Sequence, residues 1–511
     1  MRSSREVEDV AELMQLIQSR LPVKEAARTS VLSKSWLHAW STIPTLEFHV
    51  YDTKHLKMVD RTLNRYLHDN IPIERFDLNI QIKFPEWASV AEKWIRSVAT
   101  KTCLKELSLK FSRLSASLTL PDEILSVAKN LTKLKVSSSH GTHSVWMNHP
   151  PIINCVSLRE VLLSGVRISE EVLNGILLSC SMLAKLELIL CSLKTIKVIN
   201  RPYLNELRIC LLELNPTALE ISHVPNLRVF SCRLPRPSKV CSLSLGSNVT
   251  ELLLGGVITH NASLDMIKSG FPFLESLTLD MKCWTLGSFH FTCATLKRLS
   301  LRSCTSSFID VQVYAPNLLF FWFGGHTMPS LLFPVSTLIN QSKFSLILDM
   351  PLDASFFLKM REALALSSKY CDLSITTING QHPSHMDIDD LRTRLRFPPA
   401  NNVQLLEFYT IRDECLWERS PFFDAFFEIC HPNQVLAKPD VHFKYTNHFC
   451  KLMLTELLDK KNKATRRVYW PRDLKHVQIR RHQEWETLTD SHTRFLYGPH
   501  PFDIDFRLDW R

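Results

Sequence analysis

Glycine is scarce in this chain of 511 residues, with 12 Gly against 28 Phe and 11 Trp. So little glycine leaves few of the tight loops that cradle phosphates. Neither G-x-x-x-x-G-K, G-x-S-x-G nor H-E-x-x-H occurs, which removes the common nucleotide, serine-hydrolase and zinc-protease signatures. Closely spaced cysteine is also missing. The nearest pair among 14 is Cys232 and Cys241, so there is no Cys-x-x-Cys metal or redox motif. Met1 to Asp9 is polar and charged, and no secretory leader is expected. Scattered cysteines behind such a start point to a reducing intracellular compartment, nucleus and/or cytoplasm. The Asn248-Val249-Thr250 sequence then reads as incidental. The one long apolar stretch, Leu318 to Val335, contains Gly324, Gly325, His326, Pro329 and Pro334 and is a poor membrane span.

What is present is ordinary globular composition, 45% hydrophobic and 22% charged. The length exceeds one compact core, so several domains or an elongated repeat is expected. The net charge of +10 is spread over both ends, which favours solubility without specifying a nucleic-acid partner.

The chain repeats itself. The template L-x-x-L-x-L fits Leu104-Leu107-Leu109, Leu131-Leu134-Val136, Leu158-Val161-Leu163, Leu183-Leu186-Leu188 and Leu204-Leu207-Ile209. It fits again at Leu227-Phe230-Cys232, Val249-Leu252-Leu254, Leu274-Leu277-Leu279, Leu296-Leu299-Leu301 and Leu318-Phe321-Phe323, with Ile73-Phe76-Leu78 as an earlier member. First anchors recur at steps of 27, 27, 25, 21, 23, 22, 25, 22 and 22, within the roughly 20–29 residue period of leucine-rich repeats. Each unit predicts a short strand stacked parallel on the last, its three anchors pointing into one core that no unit could bury alone. Leu207, Leu252, Leu277 and Leu299 should be buried and the residues after them solvent-facing. Cys191 and Cys304 fall where such repeats place a turn-bonding Asn or Cys and read as structural.

Before the repeats, Leu56, Val59, Leu63 and Tyr66 predict a helix stopped near Asn70. A strand follows at Phe76, Leu78, Ile80 and Ile82, then a helix at Val90, Ala91, Trp94, Ile95 and Val98. Past residue 350 the period fades. Strand triplets return at Val403-Leu406-Phe408 and Leu474-Val477-Ile479, with helical patterns at 356–364 and 422–427, as larger units extending the solenoid or as a separate domain.

The first 40 residues are helical in pattern. Val7, Val10, Met14, Ile17 and Leu21 make an amphipathic helix widened by Leu13 and Leu16. A short helix from Lys24 follows, with the Thr29-Ser30 pair able to end it and cap the next, in which Leu32, Trp36 and Trp40 share a face. This apolar surface exceeds what three short helices hide, so they either cap the solenoid or dock a partner. Leu21-Pro22-Val23-Lys24-Glu25-Ala26-Ala27-Arg28-Thr29-Ser30-Val31-Leu32-Ser33-Lys34-Ser35-Trp36 with Trp40 resembles the F-box of plant F-box/leucine-rich-repeat proteins. That family opens its first helix with a further Leu-Pro pair, and Asp9-Val10 stand there instead, a degenerate first helix.

The resemblance implies an α/β chain in three parts. A three-helix F-box spans 1–48, and the leucine-rich-repeat solenoid with its leading helix, a curved parallel sheet, spans 49–350. A C-terminal strand–helix extension closing the solenoid spans 351–511. It implies a substrate receptor of a cullin-type ubiquitin ligase, itself no enzyme and without cofactor, binding a Skp-type adaptor, through it a cullin, and a protein target. The adaptor residues would be Leu13, Met14, Ile17, Leu21, Pro22, Val23, Ala26, Val31, Leu32 and Trp36. The alternative is a repeat scaffold whose helices only cap the solenoid.

Target residues are sought between the anchors. Lys133, Lys135, Lys185, Glu187, Glu206 and Arg208 form a mixed charged surface, whereas Arg298, Arg302, Phe320 and Trp322 combine guanidinium and aromatic groups as binding hot spots do. Phe320 and Trp322 read slightly better as core beneath a C-terminal helix. Two His-containing clusters, His382-His385-Asp387-Asp389-Asp390 and His143-His149, read as solvated loops rather than metal sites. The basic runs at 460–467 and 480–482 border acidic residues and read as exposed faces, with no nucleic acid expected.

Overall fold

A computed structural model describes residues 12–511 except 22, 102, 140–142, 149, 151, 212–217, 235–240, 257–266, 268, 281–287, 305–309, 335–336, 338, 349–352, 378–386, 411–421, 440–452, 456, 459–472, 481–483, 490 and 493–503. The chain divides into two compact units, Met1–Val249 and Thr250–Arg511.

In the first unit the leucine anchors build a parallel sheet. Its strands, in spatial and chain order, are Thr45–Val50, Arg75–Gln81, Glu106–Ser112, Lys133–Ser138, Glu160–Ser164, Lys185–Cys191, Glu206–Leu211 and Val229–Arg233. Register follows the template. Leu107 lies beside Leu134, Leu134 beside Val161, Val161 beside Leu186 and Leu186 beside Leu207, and all are buried. A one-residue slip would turn this row to the other face, so the anchors themselves fix the pairing. Thr45–Val50 is a strand outside the leucine template, with Leu46, Phe48 and Val50 alternating inward.

The helices expected before the repeats are Thr53–His68, burying Val59, Leu63 and Tyr66, and Pro85–Ala99, burying Ala91, Trp94, Ile95 and Val98. Asn70 adopts a left-handed φ of 51° just past the first of them, a conformation Asn tolerates better than most residues.

From Leu104 onward the repeats of the first unit also carry a second short strand that the template did not reveal. Leu118–Leu120, Val145–Met147 and Val166–Ile168 pair in parallel as one small sheet, and Thr195–Ile199, Ala218–Val224 and Cys241–Leu245 as another. Gly165, at φ 67°, makes the corner between the main-sheet strand Glu160–Ser164 and the short strand Val166–Ile168, where a Cβ would collide with the Ser138 carbonyl oxygen. Cys191 takes its expected part, its buried Sγ lying 3.6 Å from the Leu163 carbonyl of the preceding repeat. Burial pushes this thiol up to about 12, so it stays protonated. The side chain of Cys304 lies outside the described residues.

The second unit repeats the plan. Glu251–Gly255, Ser276–Asp280, Arg298–Cys304 and Phe320–Gly325 are parallel and in register. Parallel pairing then runs on through Ile339–Leu348, Ser367–Thr377, Val403–Thr410 and Gln434–Pro439, with the helices Ala354–Leu364, Ile388–Arg394 and Phe422–Ile429 alongside. The sheet finishes antiparallel: Asp505–Trp510 pairs with Gln434–Pro439, Leu474–Arg480 with it, and Trp485–Thr487 with Leu474–Arg480. Leu474–Arg480 is thus a strand as expected, but in a closing antiparallel ribbon rather than a strand–helix unit. Leu207, Leu252, Leu277 and Leu299 are buried. Their following residues occupy the opposite face but are shielded more than expected: Arg208, Leu253 and Thr278 are half-buried, and Ser300 is buried beside Trp322.

Along one edge, side chains three positions before each strand tie neighbouring turns. Asn226 donates to the Pro202 carbonyl at 2.7 Å, Asn248 to Pro225 at 2.9 Å and Asn317 to Ala294 at 2.7 Å. Among the described residues no helix is long and apolar enough to cross a membrane.

Candidate functional site

The N-terminal helices run over 12–20, Val23–Thr29 and Lys34–Ser41. Ser33, not the Thr29-Ser30 pair, caps the third helix by accepting from the Trp36 N–H, so Leu32 stands outside it. Ser30 instead bonds back to the Ala27 carbonyl and closes the second helix.

The first helix is turned opposite to the usual sense of an amphipathic helix. Its inward side is polar. Gln18, 1% exposed, donates through Nε2 to Thr29 Oγ1 at 2.8 Å and to the Trp36 carbonyl at 3.2 Å, while Gln15 donates to Thr42 Oγ1 at 2.9 Å. One side of two glutamines therefore fastens the three helices together. The apolar side faces out, with Leu13 56%, Leu16 52%, Ile17 41% and Leu21 37% exposed. Val31 (85%), Leu32 (66%) and Leu37 (52%) add to it. Met14 and Trp36 are half-buried and Ala26 is buried. Pro22, the Val23 side chain and Asp9-Val10 lie outside the described residues.

The second surface is the sheet face opposite the leucine anchors. In the first unit its charges are paired among themselves. Register aligns Arg75, Glu106, Lys133, Glu160, Lys185 and Glu206 in one row of alternating sign. Arg75 meets Glu106 at 3.7 Å, Lys133 meets Glu160 at 2.9 Å and Lys185 meets Glu206 at 3.0 Å. Burial raises the Glu206 pKa, but hydrogen bonds and charge from Arg208 and Lys185 outweigh it, and the carboxyl sits below the usual range. Lys133, Lys185, Glu206 and Arg208 thus form an internal ladder, in which exposed pairs are each worth about 0–1 kcal/mol.

In the second unit the same face brings the four singled-out residues together. Arg298 lies beside Phe320, its guanidinium carbon 5.0 Å from the ring centroid, and Arg302 lies 5.1 Å from Trp322. Phe320 and Trp322 are half-buried on the face opposite Phe321 and Phe323, so they are not core beneath a helix. The indole lies flat over Gly324, where a Cβ would meet its Cη2 at 2.6 Å.

Sequence reasoning missed the groups beyond Trp322. Register continues the row through Lys343 to Asp372, and the row beside it runs Gly324, Ser345, Ser374 and Glu407. Glu407 is only 6% exposed and accepts from Ser374 Oγ at 2.9 Å. Burial raises the Asp372 pKa, Lys343 lowers it and Glu407 raises it further, leaving it above the usual carboxylate value. The available signal was the alternation of Phe344, Leu346 and Leu348 and of Cys371, Leu373 and Ile375, which marks both strands without the leucine template.

Among the described residues no three His, Cys, Asp or Glu side chains converge as metal ligands. Asp387 caps a helix, and Asp389 and Asp390 pair with Arg392 and Arg394. His382, His385 and His149 lie outside the described residues, as do 460–467.

Comparison with known proteins agrees with this architecture. Residues 91–227 match the family described as FBD-associated F-box protein At5g56370, LRR repeats. The F-box/LRR-repeat protein At3g03360 of Arabidopsis thaliana is 28% identical over 299 residues, covering 57% of this chain and 59% of that protein. Two further Arabidopsis proteins are the F-box/LRR-repeat protein At5g02910, 24% identical over 60% of the chain and 69% of its own length, and the F-box protein At5g03100, 27% identical over 48% and 74%. The chain spans about six tenths of the length of the first of these. In repeat architecture and in these matches the chain is similar to plant F-box/leucine-rich-repeat proteins.

Proposed function

We propose that this chain is the substrate-recognition subunit of an SCF-type cullin ubiquitin ligase, working in the nucleus and/or cytoplasm. The N-terminal helices dock a Skp-type adaptor, and the second unit's sheet face holds a protein target. The observation that carries the reading is the outward apolar side of the first helix, with Gln15 and Gln18 turned inward in its place. A helix serving only as a cap would bury Leu13, Leu16 and Ile17 and expose its glutamines; exposed apolar patches of this kind mark interfaces.

The adaptor surface comprises Leu13, Ile17, Leu21, Val31 and Leu32, edged by Met14 and Trp36 with Ala26 packed behind; Pro22 and Val23 are assigned to it from their place in the sequence motif alone. Arg298, Arg302, Phe320 and Trp322 hold the target. An indole with a guanidinium over it buries area while both groups keep hydrogen-bonding capacity. The chain performs no chemistry of its own; it raises the local concentration of a target near a ubiquitin-charged enzyme.

The test is affinity capture of the tagged chain from plant cells. Wild type should bring down adaptor and cullin, and Leu21→Ala with Pro22→Ala should lose both while the circular dichroism of the repeats is unchanged. Trp322→Ala should keep adaptor and cullin and lose ubiquitinated target. Adaptor capture surviving the double substitution would refute the docking assignment.

A further inference from the structure

The closing antiparallel ribbon of the second unit holds a pocket of about 470 Å³. Registers align Leu405, Gln434, Arg507, Gln478 and Thr487 across five strands, and the pocket opens beside this row, between Gln404, His476 and Asp509. Its lining is mainly polar. Leu508 contributes, but its side chain is buried on the core side, so a ligand gains little from apolar burial and must be read by hydrogen bonds and charge.

Arg507 is the group set up for such reading. Its guanidinium carbon stacks 4.3 Å from the Trp485 ring centroid, and Nη1 lies 3.5 Å from Gln478 Oε1. Stacking restrains the fork and leaves its in-plane N–H groups to point along the surface. Neighbouring Arg480, which also lies over Trp485, is occupied by Asp505 at 2.6 Å. Among the described residues no carboxylate pairs with Arg507. Asp509, the acidic group of the pocket, lies 4.0 Å from Lys475, which offsets part of its charge.

We propose that this pocket is a second recognition site, one that receives a carboxylate-bearing peptide segment of a protein partner, either an acidic side chain or a chain terminus. Arg507 meets the carboxylate as a planar fork. The carboxamides of Gln404, Gln434 and Gln478 supply the mixed donors and acceptors that a peptide main chain needs. Asp509 on the wall repels a phosphate dianion more strongly than a carboxylate, which favours the latter. This site is built from the C-terminal strands alone and requires neither the adaptor nor Trp322.

The test uses the full chain and three fluorescein-labelled octapeptides of one sequence, followed by fluorescence anisotropy. One carries a central Glu with an amidated end, one a central Gln with a free terminus, and one a central Gln with an amidated end. At least one carboxylate peptide should bind about tenfold more tightly than the all-amide peptide, the worth of one charge-assisted pair. Arg507→Gln should abolish that difference while leaving the melting temperature unchanged; should this variant fail to fold, Gln434→Ala serves and should weaken the carboxylate peptide several-fold. Equal binding of all three peptides, absence of binding, or preference retained in a folded variant would overturn the proposal. A phosphoserine peptide binding more tightly than the Glu peptide would overturn the choice of carboxylate.

Discussion

Gln18 shows how one side chain can set the exposure of a whole helix. Its carboxamide joins the second helix at Thr29 and the third at the Trp36 carbonyl, both from a site 1% exposed. Gln18→Ala should cost about 1–3 kcal/mol by leaving a buried partner unsatisfied. Amide exchange should quicken over 12–41 and stay slow in the repeats. Asp372 makes the opposite kind of prediction. Its folded pKa is raised, chiefly by burial, so between the unfolded carboxylate value near 4 and that raised value the native state binds more protons than the unfolded one. Stability attributable to it therefore falls as pH rises through that window. Asp372→Asn should flatten this slope, and urea titrations from pH 4 to 7 should show the variant gaining on wild type toward neutrality.

Among the elements, the strand Ser276–Asp280 illustrates what the anchors contribute. Leu277 lies between Leu252 and Leu299 and is fully buried, so Leu277→Ala should cost about 2–5 kcal/mol from lost transfer energy and the cavity left behind. Urea denaturation at fixed pH measures it. Such strands were legible because three apolar anchors at a steady period recur ten times, and repetition separates signal from chance. The second strands of the repeats were not: Ile196 with Val198, or Phe289 with Phe291, are alternations only two residues long. Ile339–Leu348 and Ser367–Thr377 escaped for another reason, since they alternate without the leucine spacing. The N-terminal helices were legible in position but not in facing. Periodicity groups Leu13, Ile17 and Leu21 correctly yet carries no sign for inward or outward, and the glutamine clamp that decides it depends on hydrogen bonds 11 and 18 residues away along the chain. Lateral pairing in the charge ladder was likewise hidden, because Lys133 and Glu160 become neighbours only through strand register.

On the scale of the whole molecule, two compact units carry different surfaces. The first holds an outward apolar helix face and a charge ladder that is satisfied internally. The second holds arginine–aromatic stacks, a shielded carboxylate and a polar pocket. This division fits the proposed receptor, which would meet its ligase at one place and its target at another. The most direct measurement is a calorimetric titration of the purified full chain with a purified Skp-type adaptor, comparing wild type with Leu16→Asp plus Ile17→Asp. Wild type should form a one-to-one complex, with a negative heat-capacity change from apolar burial, and the variant should form none at the same melting temperature. Binding that persists undiminished in the folded variant, or wild type that forms no complex, would contradict the docking assignment.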